Sequence, residues 1–324
     1  MQKICVNMEY LILILSLAGI VLGADFLVKG AVVVARKCKV SSFVIGAVIV
    51  GIGTSLPELV VSTVGAIGGN SEVAIGTVVG SNIFNVFAIL GLTALFFPIA
   101  VSGENMKFEI PFCIAVSILL MLLVYNFFVV GEPRLGRWDG AALLLVFTSF
   151  MWISLRRGKS SAAAVGESVE EENKSLWFAA FSILGGLAAL IVSSNFFVDE
   201  AVAIARKLGV SDAFISITLL ACGTSLPELA ASVTAAVKKD TDMALGNIIG
   251  SNIFNATMIL GTASLITPLT TGKIGLVDYG AMILAAVLPM IFGIRGKITR
   301  FEGLLMLLCY AAYTWYIVTY VMAV

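Results

Sequence analysis

The chain has 324 residues, 60% of them hydrophobic and only 12% charged. Its 20 basic and 20 acidic residues cancel, and it has no histidine. Soluble domains are about 25% charged, so this is the composition of a membrane protein. It offers no basic stripe for nucleic acid and no imidazole for a zinc site or a Ser-His pair.

A membrane helix takes about 20 apolar residues. On that measure the sequence predicts about ten spans: 10–34, 42–66, 73–97, 109–130, 138–155, 176–204, 212–236, 243–267, 275–294 and 302–321. The first run, with Lys3 before it and Gly23-Ala24 near its end, has the outline of a secretory signal. It is also part of a repeat described below, so we expect it to stay as a span. Trp138, Trp152, Trp177 and Trp315 fall near span ends and read as interfacial anchors. Cys5, Cys38, Cys113, Cys222 and Cys309 show no paired spacing and read as small apolar residues, not as a disulfide framework. The polar segment 156–175, with its acidic run Gly166–Glu172, is expected to be a solvated linker between units 1–155 and 176–324.

Residues 21–98 align with 191–268 without a gap. Gly53-Thr54-Ser55-Leu56-Pro57-Glu58-Leu59 recurs letter for letter as Gly223-Thr224-Ser225-Leu226-Pro227-Glu228-Leu229. Gly80-Ser81-Asn82-Ile83-Phe84-Asn85 recurs as Gly250-Ser251-Asn252-Ile253-Phe254-Asn255, Ala35-Arg36-Lys37 as Ala205-Arg206-Lys207, and Pro98 as Pro268. Shared apolar composition does not generate identical polar words at one offset, so the chain is an internal duplication. Successive units begin five spans apart. Five is odd, so the second enters the membrane from the opposite face, an inverted repeat of the transporter kind. The fold class is therefore all-α, a polytopic membrane protein of two inverted five-helix repeats. Lys and Arg on the linker side outnumber those on the other side by about two to one. That predicts a linker inside a cell membrane and both termini outside.

The repeated words sit at the centres of their spans, near Thr54, Asn85, Thr224 and Asn255. An ionisable residue at that depth costs about 2.5–3.5 kcal/mol on insertion scales and marks function by default. Thr54 and Glu58 are four apart, as are Ser81 and Asn85, so each pair shares a helix face. Pro57 has no N–H to give the carbonyl of Gly53 and is expected to break the helix. Irregular backbone at this depth is tolerated only where it lines a cavity. The oxygen donors add up to the carboxylates of Glu58 and Glu228, the amides of Asn85 and Asn255, and the hydroxyls of Thr54, Ser55, Ser81, Thr224, Ser225 and Ser251. Freed carbonyls near Gly51 and Ala221 complete them. This all-oxygen set suits calcium, which takes 6–8 such ligands in forgiving geometry. It also suits several sodium ions, and it lacks the thiolate or imidazole that soft metals need.

These paired words resemble the alpha-repeats of the calcium/cation antiporter superfamily, in particular the sodium/calcium exchanger type, and the resemblance covers nearly the whole chain. It implies a ten-helix exchanger, not an enzyme, with no cofactor and with calcium and sodium as transported ions in a lipid bilayer. Glu58 and Glu228 match the family's central acidic ligands. Thr54, Ser55, Ser81 and Asn85 match its first-repeat ligands; Thr224, Ser225 and Ser251 match the second; the carbonyl ligands fall on Gly51 and Ala221. Asn255 departs from relatives that carry aspartate there, including potassium-dependent exchangers, which weighs against potassium cotransport. By the same resemblance the first helix of each unit, 10–34 and 176–204, slides across the others; separately, we expect the protein to work as a monomer. Asp25 and Lys29 are spaced for a local ion pair, while Asp199 and Glu200 are read as interface-facing. Competing readings are a calcium/proton antiporter, a cation channel filtered by Glu58 and Glu228, and a hydrolase using Ser55 or Ser225. The last lacks a base in its own span.

Overall fold

In lipid a backbone can satisfy its polar groups only within its own segment or in a closed barrel, and this chain does so with helices. The computed structural model describes residues 2–125, 132–158, 175–208 and 221–321. In chain order the helices are α1 (Gln2–Cys38), α2 (Ser42–Thr54), α3 (Leu56–Ile67), α4 (Ser71–Phe96), α5 (Gly103–Tyr125) and α6 (Arg137–Gly158). They continue with α7 (Leu176–Lys207), the short α8 (Ala221–Gly223), α9 (Leu226–Val237), α10 (Thr241–Ile266), α11 (Leu276–Gly293) and α12 (Arg300–Tyr316). Among the described residues, eight helices are long and apolar enough to cross a membrane, or nine when α2 and α3 count as one bent span. The expected span 212–236 is described only in part: residues 209–220 lie outside the described set, and α9 alone is short of a crossing. Residues 159–174, with most of the expected linker and its acidic run, also lie outside it. Helix α6 runs to Gly158, past the span end expected at 155.

The expected break occurs. Helices α2 and α3 meet at 47°, with Ser55 between them at φ −83°, ψ 9°. Ser225 holds the same conformation ahead of α9, at φ −92°, ψ 8°. Each break leaves the following proline in the first turn of the next helix, where its missing N–H costs nothing.

Helices α4 and α10 form the buried centre, and they run antiparallel. The Ala100 N–H donates to Thr241 Oγ1 (3.3 Å) at one end. The Lys273 N–H donates to Glu72 Oε1 (2.9 Å) at the other. Two-residue strands staple those ends. Strand β1 (Ile99–Ala100) pairs with β4 (Lys297–Ile298), and β2 (Arg134–Leu135) pairs with β3 (Leu269–Thr270), both antiparallel. Each pair joins one unit to the other, which is how an inverted duplication closes on itself.

Helices α1 and α7 pack chiefly against each other. At 37 and 32 residues they are about 55 and 48 Å long at 1.5 Å per residue, longer than the ~30 Å hydrocarbon core. They touch through glycine: a Cβ on Gly186 would stand 2.6 Å from the Leu27 nitrogen and 2.7 Å from the Gly23 carbonyl oxygen. Close approach through small residues is how membrane helices gain packing without a hydrophobic drive. Gly186→Leu is therefore expected to cost about 1–3 kcal/mol by overpacking, read as earlier thermal unfolding in detergent. Gly185→Leu is the matched control, because nothing lies within 4 Å of its Cβ position. The Asp25–Lys29 pair forms at 2.6 Å. Asp25 also binds Lys238 at 2.7 Å, a link from α1 to the far end of α9 that spacing along one helix does not predict. Asp199 is exposed and Glu200 half-buried. All four tryptophans are exposed on the outside of the bundle.

Candidate cation site

Both helix breaks lie against the α4–α10 crossing. Each break presents a serine, and each following helix carries a glutamate in its first turn. A helix N-terminus has unpaired N–H groups and a partial positive charge, which favours a carboxylate there. Glu58 and Glu228 are both fully buried, and the serine at each break reaches the glutamate of the other repeat. Ser55 Oγ donates to Glu228 Oε1 at 2.8 Å. Ser225 Oγ donates to Glu58 Oε1 at 3.1 Å. Ser81 Oγ donates to the same Glu58 oxygen at 3.3 Å and lies 3.2 Å from Ser225 Oγ. Thr224 also interacts with Glu58, and Thr54 with Glu228.

The α4 and α10 helices widen into π turns at Asn85 and Asn255, a local irregularity common at functional sites. Both asparagines are fully buried. Asn85 Nδ2 donates to Asn252 Oδ1 (3.0 Å), and Asn255 Nδ2 donates to Asn82 Oδ1 (3.2 Å). What remains is four acceptors. Glu58 Oε2, Glu228 Oε2, Asn85 Oδ1 and Asn255 Oδ1 are all buried and accept no hydrogen bond. Each such group costs about 1–3 kcal/mol when it stays unpaired. With the glutamates ionised all four can only accept, so a hydrogen-bond donor or a cation would complete them.

The remaining expected ligands fall around them. Thr54 is buried, and its hydroxyl lies 3.4 Å from both the Gly51 carbonyl oxygen and Asn247 Oδ1. The Gly51 carbonyl, expected to be free, accepts from the Ser55 N–H (3.1 Å) and from Ser251 Oγ (3.2 Å). The Gly53 carbonyl is the one Pro57 leaves without its helical donor. Ala221 opens the short helix before the second break, and Thr224 is half-buried beside it.

Three asparagines matter that the sequence reading did not single out. Asn82 and Asn252 exchange amide-to-backbone bonds between the repeats, each Nδ2 donating to the other's carbonyl oxygen at 3.1 Å. The signal was present, since both lie inside a repeated polar word. Asn247 donates to the Glu228 carbonyl oxygen (3.2 Å) and to Ser232 Oγ (2.8 Å). Thr77 occupies the matching place in the first unit, so aligning the repeats hides Asn247.

Among the described residues the two flanks of the site differ; the second unit's counterpart of most of α2, at 212–220, lies outside them. On the Asn247 flank α10 packs against α2, with no room for a Cβ on Gly250 beside Ala47. On the Thr77 flank a cavity of about 450 Å³ reaches Ser81 and Thr224 and is walled by Gly80, Tyr310 and Thr314. It lies in the half of the bundle that holds the Ile67–Ser71 turn and the end of α12. Among the described residues no three Cys, Asp or Glu side chains cluster. A cation held here would rest on two carboxylates and neutral oxygens.

The sequence matches the family model for the sodium/calcium exchanger protein over residues 8–156 and 178–319. It is 34% identical over 342 residues to the sodium/calcium exchanger MaX1 of Methanosarcina acetivorans, covering 95% of this chain and 98% of that protein. It is 34% identical over 292 residues to the inner membrane protein YrbG of Escherichia coli, covering 86% of each. The structure superposes on that of the sodium–calcium exchanger NCX_Mj soaked with 10 mM Na+ and no Ca2+, with a TM-score of 0.82, 32% identity, and coverage of 97% of this chain and 99% of that one. Two matched repeats, a shared architecture over nearly the whole length and a buried oxygen site between the repeats lead to one conclusion: the chain belongs to the sodium/calcium exchanger family of membrane antiporters.

Proposed function

We propose that the protein is a secondary antiporter that exchanges calcium for sodium across a cell membrane, binding both at one site between its two repeats. The observation that carries this is the set of four buried, unpartnered acceptors on Glu58, Glu228, Asn85 and Asn255. Two carboxylates balance one divalent ion. Calcium accepts 6–8 oxygens at about 2.3–2.6 Å, and the hydroxyls of Thr54, Ser55, Ser81, Thr224, Ser225 and Ser251 with the carbonyls of Gly51 and Ala221 are the proposed remaining donors. Sodium fits the same oxygens singly or severally. Sodium is proposed as the counter-ion on the likeness to the sodium/calcium exchangers, since protonated carboxyls would also supply donors to the two amide oxygens.

Transport then needs the site to open to each face in turn. The cavity that reaches Ser81 and Thr224 is the entry, and the close-packed α2–α10 contact is the seal. We place the units at 1–155 and 176–324, joined by an inner linker at 156–175, with both termini outside an inner cell membrane. Alternation around one midplane site sets this apart from a channel, which conducts through an open pore.

The test is calcium uptake into proteoliposomes with one gradient imposed at a time. Uptake is expected under an outward sodium gradient with the proton gradient collapsed by an ionophore. Uptake that follows only the proton gradient would make the protein a calcium/proton antiporter, and unitary current steps would make it a channel.

A further inference from the structure

The four asparagines at the α4–α10 crossing form a closed set of hydrogen bonds whose polarity has one solution. A backbone carbonyl can only accept. The Asn252 carbonyl oxygen lies 3.1 Å from Asn82 Nδ2, and the Asn82 carbonyl oxygen 3.1 Å from Asn252 Nδ2. Each of these two side chains must therefore turn its NH2 toward the opposite backbone. Its own Oδ1 then faces the next asparagine: Asn82 Oδ1 faces Asn255 at 3.2 Å, and Asn252 Oδ1 faces Asn85 at 3.0 Å. An acceptor there requires a donor, so Asn85 and Asn255 must turn their NH2 groups to it. Their own oxygens are left pointing away, buried and unpartnered.

We propose that Asn82 and Asn252 are positioning residues: each fixes the side-chain amide of the other repeat's site asparagine so that its oxygen, and not its NH2, faces the transported cation. This rests on Asn85 and Asn255 being cation ligands, as proposed above. A free amide would have to be turned and held by the arriving cation, whereas the lattice holds the oxygen toward it beforehand and removes that ordering cost. It also sets what residue 255 can be. A carboxylate there would put acceptor against acceptor on Asn82 Oδ1. Asn82 has no donor to spare, since Nδ2 is held by the Asn252 carbonyl with Met282 Sδ 4.0 Å away. The lattice thus disfavours an ionised carboxylate at 255, while a protonated one can still donate to Asn82 Oδ1.

The experiment is the KM for calcium, against the maximal rate, in proteoliposome flux with purified variants that elute as single species. Asn82→Leu and Asn252→Leu are each expected to raise the calcium KM about tenfold, with a smaller change in maximal rate. An unchanged KM in folded protein overturns the proposal. Asn255→Asp gives a sign test that loss of packing does not mimic. Charge alone predicts tighter calcium binding; the lattice predicts weaker binding in the parent and tighter binding once Asn82→Leu has removed the opposing oxygen. An equal effect of Asn255→Asp in both backgrounds overturns it. Should Asn82→Leu fail to fold, Asn255→Asp in the parent decides by itself: weaker binding supports the proposal, tighter binding overturns it. Glu58→Gln, run alongside, separates the two levels. If it abolishes exchange while the asparagine variants behave as the parent, the lattice inference alone has failed; if it exchanges normally, the ligand reading has failed and the lattice inference with it.

Discussion

Glu58→Gln and Glu228→Gln are each expected to lower calcium exchange by about a hundredfold or more while leaving the protein folded. Glutamine keeps the length of the side chain and an oxygen that can accept from Ser225 or Ser55. It removes one charge and puts an NH2 where the structure has an unpartnered carboxylate oxygen. Two unit charges about 4 Å apart interact by about 4 kcal/mol at an effective dielectric constant of 20, and a divalent ion doubles that. A hundredfold loss of binding needs only about 2.8 kcal/mol, so even half the single-charge interaction approaches it and the divalent case exceeds it.

Stability separates this from general damage. Without an ion, two fully buried carboxylates oppose folding, and the amide variants relieve one of them. Each variant is expected to unfold no earlier than the parent in ion-free detergent. A ligand that binds only the folded state raises its stability by mass action, so calcium should stabilise the parent and fail to stabilise the variants. Calcium stabilisation equal to the parent's in either variant would remove that glutamate from the site.

The two words built around Glu58 and Ser81 were legible because nothing else explains acidic and amide groups at the centre of apolar spans. The break at Ser55 was legible too, since Pro57 has no N–H wherever it is placed. Which hydroxyl meets which carboxylate was not. Ser55 lies three residues from Glu58, and local spacing would pair them, yet its hydroxyl binds Glu228 across the repeat. Asn82 sits inside a repeated word, but its task is set by a backbone carbonyl on another helix, which spacing along its own helix does not reveal. Lys238 reads as a plain loop charge until α1 brings Asp25 beside it. The ends of α1 and α7 overran their apolar runs because Arg36, Lys37, Arg206 and Lys207 continue the last turns. Hydropathy counts those residues as loop, whereas basic side chains suit a helix C-terminus. Contacts within one element follow from periodicity; contacts between elements depend on the inversion, and one unit read alone does not contain it.

Thr314→Cys, made after the five native cysteines are replaced, is expected to lose at least about tenfold of its exchange when a positively charged, membrane-impermeant thiol reagent is added from outside. Thr314 lines the same cavity as Ser81 and Thr224, so an adduct there stands between bulk water and the site. Cys222 must be among those replaced, because its sulfur lies 3.5 Å from the hydroxyl of Tyr310 on the cavity wall. Charge gives the sharper reading. A fixed positive charge in a low-dielectric passage repels the entering cation, and a negative one raises its local concentration. A sulfonate reagent of similar size should therefore block less, and the difference should shrink as salt screens it. Equal block by both signs would mean simple plugging, and no block by either would remove the cavity from the ion path. Sidedness tests the topology: this half of the bundle holds the Ile67–Ser71 turn and the end of α12, which lie outside in the orientation we propose from the basic-residue bias. Block only from within the vesicle, in protein of known insertion, would turn the proposed orientation over while leaving the passage where it is.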